Sequence, residues 1–269
     1  MDIFNKSTFL LVYIATILAQ RTVAQLVVNV KNKGGEIVIE NINANVTDDT
    51  IILEFQKSDG TYICQFIDFK SGVQIFKSLV LGEEERGQSQ YQVMCFITRF
   101  INNEFISSDA MSKLRQKNPS AIRHPEDDKG REPHQKDLLV NSERSHLLSP
   151  HINKICNDAK ESTYTSEADL KAISHSTDRE YYQLSSATHK LQPYTVPKCN
   201  ETAELWRSCL CSYEICIGWY PCGLKYCKGK DSAGKIVSYR CGIKTCQKCR
   251  MFQYYVKQKL LCLWDDNNL

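Results

Sequence analysis

Residues 51–81 read IILEFQKSDGTYICQFIDFKSGVQIFKSLVL, and this stretch decides the fold. Ile51 to Phe55, Thr61 to Phe69 and Val73 to Leu81 are short runs rich in Val, Ile and Phe. Ser58-Asp59-Gly60 and Ser71-Gly72 separate them with residues that favour tight turns. Short β-prone runs at close, regular spacing predict an antiparallel meander. Working outward, Leu26 to Val30 and Glu36 to Ile39 flank Lys33-Gly34-Gly35, and Tyr91 to Thr98 supplies a further strand. A sheet with one oily face needs a cover, and two helices are predicted to supply it. One is capped by Ser107 or Ser108, runs through Met111 and Leu114, and stops near Asn118-Pro119. The other opens at Ser149-Pro150 and carries Ile152, Ile155 and Cys156 on one face. The expected class is α+β: an N-terminal antiparallel sheet flanked by two helices, over residues 25–160, then a small disulfide-rich module over 199–269.

Two polar stretches interrupt this plan. Arg115 to His146 is charged, rich in Pro, His and Gln, and poor in aromatics, so it reads as a mobile insert, 115–146. Residues 161–198 read as a polar linker, with Leu170, Ile173 and Tyr181 spaced to permit some helix.

The chain of 269 residues carries 13 cysteines and a formal net charge of +3. Its length allows one large or two ordinary domains. Near-balanced charge argues against a dedicated nucleic-acid binder. A mean hydropathy of −0.39 and the lack of a second long apolar run exclude a multi-span membrane protein. Near the start, Phe9 to Ala19 is apolar, follows Lys6, and leads to the small residues of Thr22-Val23-Ala24. Eleven residues are too few to span a bilayer, so residues 1–24 read as a cleaved signal peptide and the protein as secreted.

Cysteine placement points to the same compartment. Ten of the 13 lie in the last 71 residues: Cys199, Cys209, Cys211, Cys216, Cys222, Cys227, Cys241, Cys246, Cys249 and Cys262. All six histidines precede that tail, so zinc held there would need an all-cysteine site, and a disulfide framework is the expected reading. Asn45-Val-Thr47 and Asn200-Glu-Thr202 are glycosylation sequons. The tail also repeats itself. Tyr220-Pro-Cys222-Gly-Leu-Lys-Tyr-Cys227 and Tyr239-Arg-Cys241-Gly-Ile-Lys-Thr-Cys246 share the pattern YxCG[LI]KxC, which suggests two similar cysteine-anchored turns or hairpins. The three tryptophans 206, 219 and 264 all lie in this region, and Trp219, Tyr220 and Trp264 are expected in its core.

Taken together, FIDFKSGVQIFKSLVLGEEERGQSQYQVMCFITRF (66–100), MSKLRQKNPSA (111–121), LLSPHINKIC (147–156), WYPCGLKYC (219–227), YRCGIKTCQK (239–248) and LCLWDD (261–266) resemble the Out at first protein family. The likeness runs from about Val38 to the C-terminus. It implies a secreted protein with a BRICHOS-like domain followed by a cysteine-rich domain. It further implies that Asp68 is the BRICHOS-type aspartate and that Cys95 and Cys156 form that domain's disulfide. Against the family pattern Cys64, Cys216 and Cys249 are additional. The expectation is that Cys216 pairs with Cys249 and that Cys64 is a free, strand-buried thiol. The other tail pairings stay open.

No GxSxG elbow, HExxH, phosphate loop or cysteine–histidine signature is present, so neither an enzyme nor a cofactor is expected. The first functional reading is a non-enzymatic extracellular binding protein, developmental in role, that holds extended peptides on a sheet face or edge. Its partner would be an extracellular protein or peptide. The alternative is a signalling factor whose basic tail binds a receptor or a sulfated glycan. That surface would be formed by Lys225, Lys228, Lys230, Lys235, Arg240, Lys244, Lys248 and Arg250. Folding could also scatter these charges.

Overall fold

The fold is described from a computed structural model covering residues 24–31, 35–101, 104–116, 118–191, 196–230, 232 and 234–265. The expected signal segment lies outside these residues except for Ala24, which opens the first strand.

The meander is there, and it is the centre of a larger sheet. Strands β1 (Ala24–Lys31), β2 (Ile37–Asn45), β3 (Thr50–Gln56), β4 (Tyr62–Asp68), β5 (Val73–Leu81) and β6 (Tyr91–Arg99) pair antiparallel with their sequence neighbours. Gly72 takes φ +65°, a left-handed conformation that closes the β4–β5 turn without a Cβ penalty. The sheet then grows at both ends. The two-residue β7 (Ile122–Arg123) lies parallel to β1. Beyond β6 come β10 (Thr163–Thr165), β9 (Leu138–Val140) and β11 (Thr188–Lys190), giving ten strands in all.

A second sheet of three strands packs on the first. Its members are β12 (Cys209–Lys230), β13 (Ile236–Val256) and β8 (Asp127–Lys136), in the order β12-β13-β8. The two sheets share one apolar core. Phe96 stacks on Phe252 with ring centroids 4.3 Å apart and planes 2° from parallel, and Phe252 also meets Phe76 at 5.5 Å. Tyr254 packs edge-on to Phe96, and the Tyr213 hydroxyl lies 2.6 Å from Ser78 Oγ. Burying such large side chains contributes roughly 1.5–3 kcal/mol each.

The opposite face of the large sheet is covered at its β5–β6 side by short helices. These are α2 (Ile152–Ile155), α3 (Glu167–Thr177) and α4 (Tyr181–Ser185); α1 (Ser108–Ser112) lies beside β1 and β2. Leu170, Ile173 and Leu184 are buried there against Val73, Ile75 and Ile97. Ser107 caps α1, accepting from the Ala110 amide. At the entry to α2, Ser149 Oγ accepts from the His151 amide.

Three expectations about organisation need correction. In place of the small sheet flanked by two helices, the described residues form a ten-stranded sheet with four short helices. The 115–146 stretch is not, in its described part, an insert without structure: it contains β7, β8 and β9. β8 needs no apolar periodicity because its main chain is paired with β13, while Arg131 and Glu132 make ion pairs to Glu214 and Lys248. At its end Lys136 is fully buried and donates to Asp169 (2.6 Å) and to the Ile97 carbonyl (3.0 Å), tying β8 to the large sheet. The 161–198 stretch is not a linker in its described part, since it supplies β10, α3, α4 and β11. Its apolar residues are sparse, yet Leu170, Ile173 and Leu184 are spent on the core, while Tyr181 and Tyr182 stay exposed.

Six disulfides are formed: Cys95–Cys156, Cys199–Cys209, Cys211–Cys262, Cys216–Cys249, Cys222–Cys246 and Cys227–Cys241. The Cys246-x-x-Cys249 pair is thus split between two different partners on β12. Cys64 is unbonded and buried. Burial, and then the nearby Glu54 carboxylate, push its thiol up to about 12, so it is a poor nucleophile at neutral pH. Thiol titration of the unreduced chain in denaturant is therefore expected to return one thiol, from Cys64, and the folded chain is expected to react far more slowly. A higher count would contradict the pairing above.

Candidate functional site

The two strands of the tail are where the sequence repeat goes. The two similar turns or hairpins expected there are instead the two sides of one ribbon. Leu224 pairs with Ile243, Gly223 with Lys244 and Lys225 with Gly242, so each position of one copy faces its mirror position in the other. The register slips between Pro221 and Gly223 and between Lys225 and Tyr226, which leaves Cys222 and Cys241 as the two bulged residues. Each bulged cysteine bonds to the last cysteine of the opposite copy. The ribbon therefore has a quasi-two-fold axis between Leu224 and Ile243.

A third bulge seats the ribbon on the large sheet. Gly218 and Trp219 together face Gln247, and both of their amides donate to Glu40 Oε1 of β2, at 2.9 and 3.2 Å. A Cβ on Gly218 would lie 2.9 Å from Val30 Cγ1, so the close approach requires glycine. Glu40 is 1 % exposed, and among the described residues its Oε2 has no partner. Burial pushes its carboxyl up to about 8, against the two amides, which favour the charged form. Tyr220 then stacks on Phe105, and the Ile106 amide donates to the Pro221 carbonyl.

This docking leaves the β1 edge with an unusual cover. β7 pairs with β1 only at Asn29 and Val30. At Val27 the neighbour is a side chain: the Gln116 amide accepts from the Val27 N–H at 3.1 Å and donates to the Val27 carbonyl. Asn29 Nδ2 donates to the Pro119 carbonyl. A primary amide thus stands where a strand's peptide group would stand. Beside the edge lies a cleft of about 580 Å³, lined by Leu26, Val28, Leu114, Gln116, Trp219 and Ile243 among others. On the outer face, Ile39, Asn29 and Ile122 share one row across three strands, with Ile39 and Ile122 about half exposed.

The other sequence-derived residues fall in several places. Asp68 is buried at the end of β4, where Oδ1 accepts from the Ser71 amide and Oδ2 accepts from Ser149 Oγ at 2.6 Å. It closes the β4–β5 turn and ties it to the start of α2. Arg179 reaches the same corner, donating to the Ser71, Leu147 and Leu148 carbonyls. Asn45 is half-buried and caps its own turn, its Oδ1 accepting from Thr47 and Asp48 and its Nδ2 donating to Asp48. Asn200 follows Cys199 in a single helical turn and is also half-buried. Trp219 is buried and Trp264 half-buried; Trp206 is exposed.

The basic surface needs correction. Lys248 and Arg250 are buried, since alternate residues of β13 face the large sheet. Both pair with Glu104, and the Arg250 guanidinium lies 4.8 Å from the Phe76 ring centroid. Lys225 and Lys244 are exposed but paired with Glu126 and Asp127. Lys228, Lys230, Lys235 and Arg240 are exposed around the ribbon's outer end. The Glu40 clamp and the Gln116 cover had no sequence motif to announce them.

Two family models match this chain. One described as Out at first matches residues 24–173, and one described as Out at first, C-terminal, matches residues 198–266. The chain belongs to the Out at first family. It is 54% identical over 252 residues to the Out at first protein of Drosophila virilis, covering 90% of this chain and 83% of that one. It is 53% identical over 253 residues to the Out at first protein of Drosophila melanogaster, covering 90% of this chain and 52% of that one. The chain therefore spans about half the length of that second relative. No solved structure matches. The two family segments are not separate bodies here, because β8 from the first is a strand of the sheet formed by the second. Among the described residues no helix is long and apolar enough to cross a membrane. The six disulfides are consistent with a secreted protein.

The Glu40 clamp makes stability depend on pH. Its folded pKa, about 8, lies above the ordinary 4.5. Its contribution is then full below about pH 4.5 and is lost as pH rises toward 8, by on the order of a few kcal/mol. Glu40→Gln keeps an acceptor for the two amides and cannot ionise. Thermal unfolding from pH 5 to 8.5 is expected to show a falling Tm in the parent chain and a flatter profile in the variant.

Proposed function

We propose that this Out at first chain is a secreted, non-enzymatic extracellular binding protein that takes up an extended peptide along the β1 edge. The observation that carries the reading is the Gln116 side chain bonded to both polar groups of Val27. A side-chain amide and a two-residue strand are a minimal cover for an edge. An incoming backbone can replace both at little cost, since each bond lost is regained from the peptide. The cleft and the half-exposed Ile39 offer apolar contact on either side of the new strand.

The resemblance to BRICHOS domains, which are associated with holding β-prone peptides, supports a chaperone-like capacity. In this reading the 116–123 segment is the displaceable element. Asp68 is a structural tie between the β4–β5 turn and α2 rather than part of the peptide seat. Glycans on Asn45 and Asn200 would lie outside the seat.

The test is suppression of fibril formation by an amyloid-forming peptide, followed by dye fluorescence. The full chain is expected to delay fibrils at substoichiometric or equal ratio. Gln116→Ala, which strips the cover from Val27, is expected to act at a lower ratio. No delay by either protein at molar excess would remove the reading.

A further inference from the structure

The quasi-symmetry of the ribbon points to a second docking strand at its outer end. Near the large sheet, the copy ending at Cys246 has its outer edge occupied. The Glu126 amide donates to the Thr245 carbonyl, and Asp127 and Asp128 pair in parallel with Cys246 and Gln247. Thus the motif already receives an extended, acidic segment of its own chain, and Lys244 and Lys225 neutralise Asp127 and Glu126.

The two-fold relation carries Thr245 onto Tyr226 and Cys246 onto Cys227. The residues that follow, Lys228, Gly229 and Lys230, then correspond to those on which β8 lies. β12 is an edge strand of its sheet, and among the described residues nothing pairs with its outer edge from Tyr226 to Lys230. Cys227–Cys241 ties this edge to β13, and the Tyr239 ring closes over Gly229, where an added Cβ would lie 3.0 Å from Cε1. Lys228 and Lys230 lie on one face with Arg240, which is opposite Tyr226, because residues two apart in a strand share a face. Among the described residues these three make no ion pair, and all are exposed.

We propose that the β12 edge from Tyr226 to Lys230 is a docking strand for an acidic, extended segment of another polypeptide. The segment adds in parallel, as β8 adds to β13. Free main-chain N–H and C=O groups in strand geometry are matched by another backbone, and a polysaccharide does not supply that match. The basic face selects carboxylates flanking the segment. The site is separate from the β1 edge, so it stands or falls independently of the peptide seat proposed there.

The test uses the full oxidised chain and a synthetic peptide with the sequence of residues 125–136, PEDDKGREPHQK. Binding is followed by fluorescence anisotropy and by hydrogen exchange. The expected result is binding with slowed exchange at residues 226–230. Lys228→Glu combined with Lys230→Glu is expected to weaken it about tenfold or more, since opposed charges become like charges. Lys257→Glu, at the far end of β13, is expected to leave it unchanged. A peptide N-methylated at Asp127 and Asp128 is expected not to bind. Any of four outcomes overturns the proposal: no binding at millimolar peptide, undiminished binding by the N-methylated peptide, protection confined to 246–254 by exchange with β8, or displacement by a heparin oligosaccharide with no protection of 226–230. The last would assign the basic face to a sulfated glycan instead.

Discussion

The seat of the ribbon on the large sheet is the constraint on which the rest depends. A long two-stranded ribbon has too little core to stand alone, and here it gains one by laying Phe252, Tyr254, Tyr213 and Ile215 on the inner face of β1 to β6. The Glu40 carboxyl fixes where it lands, because one oxygen gathers both amides of the Gly218–Trp219 bulge. Disulfides hold the ribbon's internal register, while the aromatic stack and Glu40 hold its position. Fixing the ribbon also decides which edges are left thinly covered or open: the β1 edge at one side, under Gln116 and β7, and the outer end of the ribbon at the other.

Much of the sheet was legible in the sequence because alternation is its signal. Ile51 to Leu81 gave three strands with their turns, and Asp68 and Ser71 lie where a turn-closing pair belongs. Strand β8 was not legible. Asp127 to Lys136 is charged and solvated on most of its length, and its order comes from backbone pairing with residues more than a hundred positions away. Helix α3 was half legible: Leu170 and Ile173 were noticed, but not that they are fully buried.

The basic tail shows why counting charges misleads. Lys248 and Arg250 have the same sequence neighbourhood as Lys228 and Lys230, yet strand parity sends the first two inward to Glu104. The tail repeat was visible, but its meaning depended on register. Facing copies, with bulged cysteines reciprocally bonded, convert a linear repeat into a two-fold element whose two ends have different fates. One end is spent on the core and on β8. The other, carrying the same motif, meets solvent.

Native-state hydrogen exchange read by mass spectrometry tests the central claim most directly, that the β1 edge wears a cover which opens while the shared core stays closed. The amides of Val27, Gln116 and residues 120–123 are predicted to exchange through a local opening, well below the global unfolding free energy, while those of β5, β6 and the Tyr213–Ile217 and Arg250–Tyr254 stretches stay protected. Exchange of the cover and the core with one common free energy would contradict it.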